Sequence, residues 1–423
     1  MSFCITKADV TYRREPLIAP FGFKGGSLSE LWQVAVRLET EDGRRAVGVG
    51  LQSVLWSDSG VFCSRSEEEG NEAMLAITRH ALSRAIGRRF ASPTEMIDSL
   101  TEELLWFGRH LTGRRDLRKT FVLNALVPLD HAAWQLEAAG AGCEDLSHLA
   151  PSPAFTHRHS VLASIPLLTY HTKEDEIRRL ADEGVALFKI KIGADPDGDG
   201  DREKMLAWDK ARLSEIHAIL SEYRTPLTES GHIAYYLDAN GRYDSRERLA
   251  DLLAHAEEIG ALPHVLILEE PFPEEEKIDV RGLPVRIAAD ESAHSEEDVL
   301  ERIGLGYGAI ALKPAAKTLS VTLGMLEAAA RHGVPCFVAD LTVPPQLVEF
   351  NKNVAARIAP LPGMRSGVLE ANGPQNYRRW SEMLAEAPGT SMCEGGRFTV
   401  PDSFFQNGGN AFRPLPFYDA LFQ

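Results

Sequence analysis

Residues 1–60 alternate apolar and polar positions, as in "CITKADVTYR" and "WQVAVRLETEDGRRAVGVGLQ". This is the period of strands with one buried face, and the "EDGRR" inside the second run predicts a hairpin turn. Between residues 67 and 140 the apolar spacing changes to three and four, in "EAMLAITRHALSRAI", "PTEMIDSLTEELLWF" and "VLNALVPLDHAAWQLEAA", which predicts helices. Residues 141–160 are rich in Gly, Ser, Pro and His and read as a connection. The first third, residues 1–145, is therefore expected to be an α+β unit of its own.

From about residue 161 the texture changes again. Short β-rich runs ("SIPLLTYH", "ALFKIKIG", "HIAYYLDAN", "HVLILEEP", "VRIAADES", "GAIALKP", "PCFVAD", "ARIAPLP") alternate with helical stretches such as "SRERLADLLAHAEEIG" and "TLSVTLGMLEAAARHG". Eight such alternations predict an α/β fold of the modified TIM-type (β/α) barrel class over residues 160–379. An open doubly wound sheet also alternates, but no G-x-G-x-x-G follows the first strand. Residues 380–423, rich in Phe, Pro and Gly, do not continue the pattern and are expected to pack back on the first unit.

Composition narrows the function classes. The 423 residues are 44% hydrophobic and 25% charged, ordinary for a globular protein with a large core. A net charge of −16 disfavours nucleic acid as a partner, because phosphate binding needs a basic footprint. Five scattered cysteines without a C-x-x-C predict neither a disulfide framework nor a zinc ribbon. The start lacks the apolar run of a signal peptide and no stretch is long enough to cross a membrane, so a reduced, cytoplasmic, soluble protein is expected.

The chemistry collects at strand ends. "FKIKIG" carries Lys189 and Lys191 on one face, since side chains two apart in a strand point the same way. "YYLDAN" ends in Asp238 and Asn240, "LILEEP" in Glu269 and Glu270, "IAADES" in Asp290 and Glu291, and "IALKP" in Lys313. The C-terminal ends of barrel strands converge on one mouth. Three successive strands each offering a carboxylate there suit a hard divalent cation, Mg²⁺ above all. Such a mouth also accounts for the two lysines, which would be costly inside a barrel without counter-charges.

In order and spacing, the K-x-K at 189–191, "DAN" at 238–240, "EEP" at 269–271, "ADES" at 289–292 and Lys313 resemble the enolase superfamily over nearly the whole chain. With a lysine on both flanks, the chain is nearer the muconate-lactonizing subgroup than the mandelate racemase subgroup. The resemblance implies a capping domain completed by the C-terminal segment. It implies Mg²⁺, with Mn²⁺ as a substitute, on Asp238, Glu269 and Asp290. It also implies Lys191 and Lys313 as general bases on opposite sides of the substrate, and Lys189 stabilising the substrate carboxylate. Asn240, Glu270 and Glu291 would support these groups, Glu291 by a hydrogen bond to Lys313. The implied reaction is abstraction of the proton α to a carboxylate through an enediolate. A racemase, epimerase or cycloisomerase of a small organic acid leads; an acid-sugar-type dehydratase and a non-catalytic metal- or acid-binding barrel are the alternatives. A homo-oligomer is expected.

Three departures bear on the substrate. "PAAKTLS" after Lys313 lacks the usual glycine pair, the span from Lys191 to Asp238 is long, and "APLPGMRSG" lacks the Asp-x-Asp with which dipeptide epimerases hold an amine. Lid candidates are residues 21–32 with Lys24 and residues 53–62 with Trp56; their Ser, Asp, Lys and Trp predict a polar, hydroxylated acid. "DPDGDGDREKML" resembles a calcium loop but has Leu206 where an EF-hand needs Glu, so a solvated loop is expected. "HRH" at 157–159 reads as linker, and Asp340, His171 and His294 carry no assigned role.

Overall fold

A computed structural model describes residues 2–23, 26–390 and 392–423. Strands β1 (Phe3–Phe23), β2 (Gly26–Thr40), β3 (Arg45–Gln52) and β4 (Arg89–Phe90) form an antiparallel sheet in the order β3-β2-β1-β4. Helices α1 (Val54–Ser57), α2 (Ser59–Cys63), α3 (Glu67–Ala85), α4 (Pro93–Thr112) and α5 (Lys119–Ala141) accompany it. Lys24, singled out in the first lid, lies outside the described residues.

The outer edge of β3 explains why α5 is buried almost throughout yet carries Asn124, His131 and Gln135. An unpaired strand edge leaves N–H and C=O groups that must be satisfied once covered. Asn124 accepts from Ser53 N at 2.9 Å and donates to Leu51 O at 2.8 Å. His131 Nδ1 accepts from Val49 N at 3.0 Å, and Gln135 accepts from and donates to Val47, both at 3.0 Å. Side chains one helical repeat apart thus act as a surrogate strand. The approach requires Gly48, where a Cβ would stand 2.2 Å from both Ala132 N and Pro128 O.

The remaining strands form a mainly parallel sheet that curls into a barrel: β5 (Val161–Ser164), β6 (Leu167–Leu168), β7 (Leu187–Lys191), β8 (Ala234–Asp238), β9 (Val265–Glu269), β10 (Ile287–Ala289), β11 (Ala309–Leu312), β12 (Cys336–Val338) and β13 (Gly367–Leu369). The first barrel strand is split at Ile165–Pro166. Its β5 part pairs with β13 and its β6 part with β7, so one broken strand joins the two ends of the sheet. Tyr236 and Phe337 meet edge to face at 5.4 Å in the barrel interior, against Ala288, Ala309 and Ala311. Large rings opposite small side chains fill the interior without a pore.

The eighth strand is not where the pattern put it. "ARIAPLP" follows directly from the helix Pro345–Ala355 and runs into a loop, while "GVL" at 367–369 forms the strand. Ala355 and Ala356 prolong the helical spacing, and Pro360 and Pro362 cannot donate to a ladder. The last residues divide their contacts. A hairpin of β14 (Cys393–Glu394) and β15 (Arg397–Thr399) pairs with β5, whereas Leu415 and Tyr418 pack on Ala35, Val47 and Val49 of the first sheet. Among the described residues no helix is long and apolar enough to cross a membrane.

Candidate active site

Strand register brings the charged residues together. In the parallel ladder Lys191 stands opposite Asp238, and Asp238 opposite Glu269. Glu269 pairs with Ala288, two residues before Asp290 and on the same face. All of these side chains are buried.

Two ion-pair centres result. Lys189 Nζ lies 3.0 Å from Asp238 Oδ2, 3.3 Å from Glu269 Oε1 and 3.3 Å from Glu370 Oε2, over the ring of Tyr236. Lys191 Nζ donates to Asp238 Oδ2 at 2.7 Å and to Asn240 Oδ1. Burial alone would raise the Asp238 carboxyl, but the two ammonium groups outweigh it and hold it at about 2. Burial likewise opposes the charge on Lys189, yet Asp238, Glu269 and Glu370 keep its pKa well above the usual lysine value. On the far side Lys313 Nζ donates to Asp290 Oδ2 at 2.5 Å, and Lys317 Nζ to Asp290 Oδ1 at 3.0 Å and to its carbonyl at 2.6 Å. Despite its burial, Asp290 is held below the usual carboxylate range by Lys313 and Lys317.

The other carboxylates brace this centre. Glu270 Oε2 accepts from Asp290 N at 2.7 Å, Ser292 N at 3.2 Å and Ser292 Oγ at 3.0 Å, fixing the turn that carries Asp290. Burial and then the neighbouring Glu291 push Glu270 up to about 8, and burial pushes Glu269 up to about 7 against Lys189. Asn240 and Glu270 both have positive φ, 45° and 39°, a strained conformation for residues that bear a side chain. Asn240 Nδ2 donates to Glu291 Oε1 at 3.1 Å. Lys313 in turn bonds Asp290.

The donor set fits a hard divalent cation. Glu269, Asp290 and Glu291 are the one trio among the described residues whose ligand atoms lie within 4.8 Å of one another. Asp238 adjoins Glu269 by register, but its Oδ2 is taken by both lysines. Glu270 Oε1 is buried without a hydrogen-bond partner. Six buried carboxylates (Asp238, Glu269, Glu270, Asp290, Glu291, Glu370) stand with four buried ammonium groups (Lys189, Lys191, Lys313, Lys317). Burial holds Glu269 and Glu270 toward the neutral acid, and a cation with oxygen ligands would favour their charged form.

Two of these residues escaped the sequence reading. Glu370 was hidden by the misplaced eighth strand. Lys317 lies one helical turn after Lys313, a spacing that puts both on one side of the short helix Pro314–Lys317. Asp340 gains a role: it accepts from Val343 N at 3.3 Å and Asn372 N at 2.6 Å, joining the loops after the seventh and eighth strands. The HRH histidines belong elsewhere, His159 accepting from Gly367 N at 3.2 Å. In the acidic loop, Lys204 bonds Asp197 and Asp199 at 2.7 Å each, so the loop closes on its own cation.

A cavity opens over Lys189, Lys191, Asp238, Asn240 and Lys313; neither His171 nor His294 lines it. The cap contributes Leu17, Leu28, Leu31, Ser53 and Trp56, with the Trp56 ring 4.6 Å from Lys313 Nζ. Ser29 Oγ bonds Glu67, Ser57 Oγ bonds Ser53 O, and Asp58 accepts from Val61 N and Arg118 N. Those polar groups are engaged within the cap; among the described residues, three leucines, Ser53 and Trp56 reach the cavity from it.

Comparison with known proteins agrees with this architecture. The family described as enolase C-terminal domain-like matches residues 173–403. Among curated proteins no match is found. A mandelate racemase/muconate lactonizing protein from Herpetosiphon aurantiacus superposes with a TM-score of 0.66 at 18% identity, covering 94% of this chain and 96% of that one. The L-Ala-D/L-Glu epimerase from Bacillus subtilis gives 0.64 at 17% identity, covering 94% and 96%. The L-talarate dehydratase from Polaromonas sp. JS666, complexed with Mg and L-glucarate, gives 0.64 at 18% identity, covering 94% and 93%. At these identities the likeness is one of fold.

Proposed function

Because this chain belongs to the enolase C-terminal domain-like family, we propose that it is a Mg²⁺-dependent isomerase, a racemase, epimerase or cycloisomerase, that abstracts and returns the proton α to a carboxylate of a small organic acid. The observation that carries the reading is the position of two lysines. Lys191 lies on the second strand of the eight-stranded ring and Lys313 at the end of the sixth, diametrically opposed, and both line one cavity. A substrate between them exposes one face to each, the arrangement that inversion of a carbon centre requires.

Asp238, Glu269 and Asp290 would hold Mg²⁺, with Glu291 adjacent to the last two. Bound there, the ion supplies Lewis-acid stabilisation of the negative charge that develops on the substrate carboxylate. Lys189 adds a fixed positive charge to the same oxygens. Lys191 and Lys313 pair with Asp238 and Asp290, the carboxylates that would hold the ion. With the charge of those carboxylates shared with the ion, each lysine would lose part of its counter-charge, which would favour the neutral amine a base needs. Specificity would lie with the cap, residues 1–145, and the chemistry with the barrel, residues 160–379.

The Mg and L-glucarate described for the Polaromonas structure and the epimerase activity named for the Bacillus protein support this class of chemistry. Incubating a panel of carboxylic acids with the protein in D₂O and following the α-proton by NMR tests it. We expect exchange with Mg²⁺ that stops in excess EDTA. Exchange that persists in EDTA would overturn the metal assignment, and loss of water in place of exchange would make the protein a lyase.

A further inference from the structure

The walls of the cavity point beyond the reaction class to the substrate's side chain. Above the charged floor stand Leu17, Leu28, Leu31, Trp56, Leu167 and Leu341, brought by the cap hairpin, α1, the split first strand and the loop after the seventh strand. Each is buried by its own packing and turns only its last few per cent of surface, between 3% and 8%, to the cavity. The opposite wall is polar, and most of its groups are engaged with one another, Asn372 Oδ1 remaining without a partner. Glu370 accepts from Asn372 Nδ2 at 2.7 Å, from Asp340 N at 3.1 Å and from Lys189. Both Asp340 oxygens hold backbone N–H groups, and Asn376 Nδ2 donates to Asn372 O.

A hydroxyl placed against Leu17, Leu28 and Leu31, away from the unpaired Trp56 Nε1, would leave its water partners for an apolar surface, a penalty of about 1–3 kcal/mol for each unpaired group. A methylene in the same place gains roughly 0.8 kcal/mol. We propose that the acid this site takes carries an unhydroxylated hydrocarbon chain, seated beneath the leucine roof with its carboxylate toward Lys189, Lys191 and Lys313. The proposal rests on the function proposed above only for the position of the carboxylate. It separates this site from one shaped for acid sugars, whose several hydroxyl groups would need more partners than the unpaired Trp56 Nε1 and Asn372 Oδ1.

Titration calorimetry of the unmodified protein with Mg²⁺ and the straight-chain carboxylates from butanoate to octanoate reads the roof directly. Burial of each methylene should tighten Kd about fourfold, the equivalent of 0.8 kcal/mol, until the roof is filled. Hexanoate should bind far more tightly than gluconate, which has the same number of carbons. Leu28→Asn, on β2 of the cap, should flatten the series. A Kd indifferent to chain length, gluconate binding as tightly as hexanoate, or no carboxylate binding at all would each overturn the proposal. A steep series without α-proton exchange for any acid would sustain the roof and sink the isomerase.

Discussion

Asp130→Asn tests how the cap is fastened to the segment that carries the second base. Asp130 sits on α5, fully buried, and accepts from Leu319 N at 2.7 Å and from Ser320 N and Oγ. Those residues begin the helix Leu319–Arg331, immediately after Lys313 and Lys317. Burial lifts the Asp130 carboxyl from 3.8 to about 7, against the hydrogen bonds that favour its ionised form. The sign follows from linkage. Below pH 3.8 folded and unfolded chains are both protonated; between that value and about 7 only the unfolded chain ionises, so stability falls as pH rises and levels above 7. The difference of about 3.2 pH units corresponds to about 4 kcal/mol. Asparagine keeps an acceptor for the backbone groups and cannot ionise. Urea unfolding of wild type and variant between pH 4.5 and 8 should therefore show the variant gaining about 3 kcal/mol relative to wild type across the range, the remainder lying below pH 4.5. Parallel stability curves would refute the reasoning, because a carboxyl that titrates alike in both states carries no such linkage.

Two further outcomes follow from the charge balance of the mouth. Lys317→Met removes a fully buried ammonium from Asp290 and should destabilise the protein by about 3–5 kcal/mol in EDTA, less with Mg²⁺ present, as read by urea unfolding. Glu269→Gln and Asp290→Asn should each weaken Mg²⁺ binding by calorimetry at least tenfold, while Asp199→Asn, in the exposed loop already paired with Lys204, should leave it unchanged.

Much of the site was legible because strand chemistry is local. Lys189 and Lys191 share a face by the period of two, and acids at the ends of successive runs predicted the adjacency that register delivers, Lys191 to Asp238 to Glu269. Glu370 was not legible, since the three-residue strand before it is shorter than the helical run that masked it. Lys317 reads as a surface lysine until the turn at Thr318, with φ of 70°, folds its helix over Asp290. Composition counts Ser57 and Asp58 as polar surface, but helix ends and turns consume such groups within the backbone.

The central claim is that two lysines work from opposite faces of one carbon, and stereospecific exchange in D₂O by the single-lysine variants tests it most directly. With a racemisable acid and Mg²⁺, Lys191→Ala and Lys313→Ala should each lose net turnover, each still exchange the α-proton of one stereoisomer, and choose opposite isomers. If both variants exchange the same isomer, or neither loses turnover, the two-base account is contradicted.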